Sequence, residues 1–140
     1  MSRIFWDTNL FIYLFEDYGP LSERVAHIRQ RMLDRGDDLL TSMLTLGEIL
    51  VKPAETGDVA LTASYEDALA RSATLLPFSR DAARIYAEIR RDRSIRAPDA
   101  IQLACAAHAG TDLFLTNDER LATKTVPGVH FIQAVAQAFI

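Results

Sequence analysis

Four acidic residues stand where their side chains could do chemistry: Asp7, Glu48, Asp99 and Asp118. Asp7 ends the apolar stretch Ile4-Phe5-Trp6 and opens the polar triplet Asp7-Thr8-Asn9. Glu48 lies among Leu44, Leu46, Ile49, Leu50 and Val51, where a carboxylate is costly unless it is paired or bound to a cation. Asp99 follows Pro98 at the head of an alanine-rich apolar run, and Asp118 comes just after Leu113-Phe114-Leu115-Thr116. Each acid alone has a structural alternative. Asp7 suits a helix cap, Asp99 and Asp118 suit first helical turns, and Lys52 sits four residues after Glu48. Together they would repel one another strongly, which a divalent cation relieves. An oxygen-only ligand set favours Mg²⁺ or Mn²⁺. Zinc is disfavoured, because His27, His108 and His130 are scattered and read as surface or packing residues, and Cys105 is alone. Carboxylate-bound Mg²⁺ supports in-line hydrolysis of phosphodiesters by water, leaving a 5′-phosphate and a 3′-hydroxyl.

These acids need elements that carry them to one place. Arg3–Trp6 reads as a buried strand, and the apolar run Leu10–Phe15, with Asn9 before it, as a helix packed on that strand. Leu21, Val25, Ile28 and Met32 are spaced for a helix that stops at Gly36. Leu39-Leu40-Thr41 is a second strand, and Ser42 opens a helix through Val51 that Pro53 ends, with residues 54–58 as loop. A helix over 59–72 precedes a third strand, Leu75-Leu76-Pro77-Phe78. Ser79 caps a helix bearing Ala82, Ile85, Tyr86 and Ile89 on one face. Residues 92–97 are a polar connection into the helix Asp99–Ala109, which is apolar nearly all round and stops at Gly110. Leu113–Thr116 and Val129–Ile132 are further strands, and residues 133–140 are expected to form a terminal helix. The alternation of strand and helix implies an α/β fold with a parallel sheet between helical layers. In such a sheet, ligands bind at the carboxyl edge, where Asp7 belongs.

The 140 residues suit a single domain over 1–140, about half hydrophobic and a quarter charged. No apolar run is long enough to span a bilayer, and no secretory signal is expected ahead of the first strand. Cys105 admits no internal disulfide and reads as a small buried apolar residue, which fits a reducing cytosol. The net charge of −4 is mildly unfavourable for a polyanion partner. Setting four of the 19 acidic residues aside as one metal site leaves as many as the 15 lysines and arginines. Six of those 15 (Arg80, Arg84, Arg90, Arg91, Arg93 and Arg96) fall in one seventeen-residue window that leads to Asp99. They suit either a solvated helix face or contact with phosphates beside the acids. Tyr13 and Tyr18 suit either base stacking or packing. No Gly-x-Gly-x-x-Gly or Walker loop follows a strand, so a nucleotide cofactor site is not expected.

Four motifs in this order, Asp7-Thr8-Asn9, Leu46-Gly47-Glu48-Ile49, Pro98-Asp99-Ala100-Ile101-Gln102-Leu103-Ala104 and Leu115-Thr116-Asn117-Asp118, resemble those of the PIN-domain ribonucleases. Within them the chain is most similar to the VapC toxins of toxin–antitoxin pairs, from Arg3 to about Ile132. The resemblance implies a three-layer α/β/α sandwich with a short parallel sheet. It implies that Asp7, Glu48, Asp99 and Asp118 are catalytic and hold Mg²⁺ or Mn²⁺, with Thr8, Asn9, Thr116 and Asn117 as supporting polar neighbours. It also implies a homodimer that cuts structured RNA such as tRNA or ribosomal RNA, and a cognate antitoxin that inserts a segment into the active-site groove. A non-catalytic RNA- or protein-binding module on the same fold is the alternative. A receiver-like regulator or Asp-x-Asp phosphatase is disfavoured, because Trp6 precedes Asp7 and Asn9 stands two residues after it.

Overall fold

A computed structural model describes residues 1–138. Five strands form one parallel sheet: β1 (Arg3–Trp6), β2 (Asp38–Ser42), β3 (Thr74–Leu76), β4 (Thr111–Thr116) and β5 (Val129–Ala134). Their spatial order is β3-β2-β1-β4-β5. The chain therefore builds outward from β1 through β2 to β3, then returns to the other side of β1 for β4. β1 and β4 flank the point where strand order reverses, and there the loops leaving two neighbouring strands diverge and open a crevice.

Side chains alternate across a strand, so neighbouring residues enter different cores. Phe5, Leu40 and Phe114 face one helical layer, built from α5 (Arg80–Ile89) and α6 (Ala97–Ala109). Ile4, Trp6, Leu39 and Leu115 face the other, built from α1 (Thr8–Phe15), α2 (Pro20–Arg35), α3 (Met43–Thr56) and α4 (Val59–Ser72). This is the expected three-layer α/β/α sandwich. Phe5 and Phe114 stack across β1 and β4 with ring centroids 5.0 Å apart. Truncating Phe5 to alanine would remove that contact and cost about 3–5 kcal/mol.

The α6 helix contributes Ala100, Leu103, Ala104, Cys105 and Ala106 to the core, all of them buried. Cys105 is the small buried residue expected, and burial pushes its thiol up to about 11. Gly128 leads into β5 with φ +95°, and a Cβ there would meet the Ala107 carbonyl oxygen at 2.8 Å. Only glycine lets that lead-in lie against α6.

Several boundaries differ from expectation. The α3 helix does not stop at Pro53 but runs to Thr56, closed by Gly57 at φ 66°. Pro53 lacks one N–H, yet its ring is buried and the last turn closes after it. The third strand starts at Thr74 and ends before Pro77, which has no N–H for a ladder. β5 continues through Ala134 into a short 3₁₀ turn at Val135–Gln137, where a terminal helix was expected. Residues 139–140 of that expected helix lie outside the described residues. None of the described helices is long and apolar enough to cross a membrane.

Candidate active site

The last residue of β1, Trp6, is buried, and its successor Asp7 emerges at the crevice between β1 and β4. The Asp7 N–H extends the ladder to the Leu115 carbonyl (3.0 Å). Its carboxylate caps α1: Oδ1 accepts the Thr8 N–H (2.9 Å), so the capping alternative is realised. Oδ2 accepts the Thr116 hydroxyl (3.0 Å). No lysine, arginine or histidine faces Asp7 among the described residues. Burial pushes its pKa up to about 6, against the lowering effect of the Thr116 and Thr8 bonds and with help from the negative charges of Asp99 and Glu48.

Glu48 comes from α3, the helix after β2. The residue is exposed, but Oε1 accepts the Thr8 hydroxyl at 2.5 Å. It makes no ion pair with Lys52 among the described residues. Asp99 comes from the first turn of α6. Asp7, Thr8, Asn9, Glu48, Asp99 and Gln102 line one cleft of about 300 Å³. Asp118 lies beside it, in a smaller pocket of about 150 Å³ that it shares with Asp99, Arg96, Arg120 and Lys124. Arg96 stands between the two carboxylates, 3.7 Å from Asp99 and 4.0 Å from Asp118, and Arg120 is 3.8 Å from Asp118. Burial raises the Asp99 pKa and Asp118 adds to it, with Arg96 and Arg120 working against them.

All four acids therefore arrive at the carboxyl edge, three in one cleft and the fourth adjoining. Thr8 and Asn9 line the cleft and Thr116 holds Asp7, whereas the Asn117 amide donates to the Tyr13 hydroxyl (3.0 Å). Tyr13 and Tyr18 pack edge to face with centroids 5.3 Å apart. The arginine window divides. Arg96 reaches the site, but Arg84 pairs with Asp81 (2.9 Å), Arg91 pairs with Glu88 (3.2 Å), and Arg90 donates to the Ile95 carbonyl (3.1 Å). Arg80 and Arg93 are exposed. The three histidines are exposed, as expected.

Three site residues were not singled out from sequence: Arg120, Lys124 and Gln102. Arg120 follows Asp118 by two positions, which was the available signal. For Gln102 the signal was a lone amide inside an otherwise apolar helix, which must find partners.

The donors suit a hard divalent cation, since the cleft offers only oxygen and amide groups and holds a crowded carboxylate with no cationic neighbour. Among the described residues no three acidic, histidine or cysteine side chains form a ready-made cage. That geometry is compatible with Mg²⁺, which keeps several waters and takes one or two carboxylates.

A three-layer parallel α/β sandwich with an acidic cleft at its switch point defines the class of the protein. The PIN domain family model matches residues 4–126, and the chain belongs to that family. No curated protein matches it. Among solved structures it is similar to VapBC2 from Rickettsia felis bound to a promoter DNA fragment (14% identity, 94% of this chain and 97% of that one, TM-score 0.74). It is also similar to DNA-bound VapBC from Salmonella typhimurium (20% identity, 96% and 99%, TM-score 0.71). A toxin–antitoxin complex from Klebsiella pneumoniae aligns at 24% identity over 91% and 95%, with a TM-score of 0.64.

Proposed function

We propose that the chain is a Mg²⁺- or Mn²⁺-dependent endoribonuclease that serves as the toxin of a toxin–antitoxin pair. The observation that carries this is the cleft, where Asp7, Glu48 and Asp99 come from three distant segments to face one another without a neutralising side chain at Asp7. Family membership and the toxin–antitoxin complexes among the structural neighbours support the same reading.

Asp7, Glu48 and Asp99 would hold the cation, with Asp118 on the flank. When bound, it supplies Lewis-acid polarisation of the phosphate and a water of lowered pKa. The protein's own groups do the rest. Thr116 and the Thr8 N–H fix the Asp7 oxygens, and the Thr8 hydroxyl aims Glu48 at the cleft. Arg96 and Arg120 make only long contacts to carboxylates, worth little in solvent, so both are free to turn to RNA phosphates. Lys124 stands in the same pocket, held by Asp92 (3.2 Å).

A second cavity of about 400 Å³ adjoins the cleft, sharing Ile12 and Glu48 and lined by Phe15, Ile49, Val51, Leu61 and Tyr65. It supports the antitoxin partner, because an apolar segment lying there would reach the acids. The test is cleavage of a tRNA and ribosomal RNA pool in Mn²⁺ or Mg²⁺. Activity lost on chelation and in Asp7→Asn is the expected result. Metal-independent RNA binding without cleavage would replace this reading with that of a binding module.

A further inference from the structure

Beneath the cleft lies a polar cluster to which the scheme above gives no role, although Gln102 also lines the cleft: Thr41, Ser42, Thr45 and Gln102, each no more than 1% exposed. Its centre is the Gln102 amide. Nε2 donates to the Thr45 hydroxyl (2.8 Å) and to the Thr8 hydroxyl (3.1 Å), and Oε1 accepts the Ser42 hydroxyl at 2.5 Å. Thr45 is tied in turn to Thr41 (2.7 Å), which is bonded to the Trp6 carbonyl at the end of β1 (2.9 Å). The amide thus bridges α6, the β2 terminus, α3 and the first residue of α1.

Proton counting gives this bridge a direction. The Thr8 hydroxyl donates to Glu48 Oε1, so its single proton is committed there. The Thr8 oxygen is then free to accept, which is what the Gln102 amide requires. Turned the other way, the amide oxygen would face a hydroxyl whose proton is already committed, and the Ser42 proton would lose its acceptor. Glu48 is otherwise an exposed side chain with no ion pair among the described residues.

The geometry points to Gln102 as a positioning residue. It orients the Thr8 hydroxyl so that the Glu48 carboxylate is held at the cleft before any cation arrives. This rests on the metal-dependent reading for its consequence, but not for its structural content. Holding a flexible glutamate in advance removes the entropic cost of ordering it on binding. Groups behind a ligand shell typically change metal affinity 10–100-fold.

The experiment compares Mn²⁺ binding by calorimetry in four proteins: wild type, Gln102→Met, Glu48→Gln and the double variant. Crystal structures of metal-free wild type and Gln102→Met accompany it. If Gln102 acts through Glu48, Gln102→Met weakens Mn²⁺ about tenfold in the wild-type background and leaves the Glu48→Gln background within about twofold. In the Gln102→Met structure the Glu48 carboxylate leaves Thr8. A purely structural amide would give equal losses in both backgrounds, and that result, or a Thr8–Glu48 bond retained in Gln102→Met, overturns the proposal. If Gln102→Met does not fold, Gln102→Leu, which likewise offers Thr8 no N–H, takes its place under the same criteria. Wild type that binds no Mn²⁺ defeats the metal-dependent reading, and the crystallographic distance still decides the role of Gln102.

Discussion

The two ends of the sheet treat covered aspartates in opposite ways. At the amino end, the Asp37 side chain is 1% exposed, and it accepts the Ser2 N–H (2.8 Å) and two bonds from Arg35 (3.0 and 2.8 Å). Being covered pushes its pKa up, but the Ser2 bond, Arg35 and the chain terminus outweigh that and hold it below the usual range. Nearby, Asp38 has Arg3 at 3.8 Å, and Asp112 has His130 at 3.5 Å. At the carboxyl end, Asp7 receives one hydroxyl and one N–H, faces two further carboxylates, and is pushed up to about 6. Charge placed to stabilise a fold is paired within the fold. Charge left unpaired at a topological switch point is stability given up, and a bound cation is the natural compensation.

The sharpest way to break that comparison is activity. Asp7→Asn should lower RNA cleavage by about 100-fold or more, the scale of losing a preorganised electrostatic group. Asp37→Asn, at the other end, should cleave within about twofold of wild type. A nuclease assay in Mn²⁺ that finds equal losses would erase the distinction between the two ends. Metal should also act at one end only. At 100 times its dissociation constant, Mn²⁺ should stabilise wild type by about 2.7 kcal/mol against urea. It should do the same for Asp37→Asn and far less for Asp7→Asn.

Stability without metal sharpens the contrast, because the two signs differ. Asp7 binds protons more tightly folded than unfolded, so metal-free stability falls as pH rises from about 4 through about 6. Asp7→Asn removes this loss. The variant should be more stable than wild type above pH 6, by about 2 kcal/mol, since a tenfold change in proton affinity is worth about 1.4 kcal/mol and cleft water screens part of it. The gain should vanish below about pH 4. Asp37 is the reverse case, with a depressed folded value. Asp37→Asn should be less stable than wild type at neutral pH by about 1 kcal/mol, and that gap should close as the pH falls through the Asp37 range. Urea denaturation in chelator from pH 4 to pH 7.5 measures both. An Asp7→Asn protein less stable than wild type at pH 7 would show that Asp7 serves the fold.

The amino end was the less legible of the two from sequence. Asp37 and Asp38 fall between the helix stop at Gly36 and the second strand, and Ser2 and Arg3 reach them only through the pairing of β1 with β2, whereas Arg35 lies just two residues before Asp37. The carboxyl end was more legible. Its acids follow directly on apolar strands or open apolar helices, so local pattern and parallel topology together place them. Glu48 was harder, since Lys52 offered a local partner and only the fold brings Thr8 within 2.5 Å. Pro53 misled because a proline near a helix end reads as a stop, yet Gly57 closes one more turn after it. The buried cluster around Gln102 was the least legible, since each of its bonds to Ser42, Thr45 and Thr8 joins different elements.

The smallest expected effect concerns arginines on either side of the pocket wall. Arg84 and Arg91 are committed to Asp81 and Glu88 at 2.9 and 3.2 Å on α5 and just after it, away from the acids. Arg96 instead lies between Asp99 and Asp118 at 3.7 and 4.0 Å, too far for strong bonds. A cation at the acids would displace it toward whatever anion lies in the cleft. Arg96→Ala should therefore weaken binding of a non-cleavable RNA several-fold and reduce the slope of log affinity against log salt by about 1. Arg84→Ala should change neither beyond error, because removing it frees Asp81 without exposing the cleft. Should both variants shift the salt slope equally, the RNA path would run along α5, and the charge run would outrank the pocket in guiding the substrate.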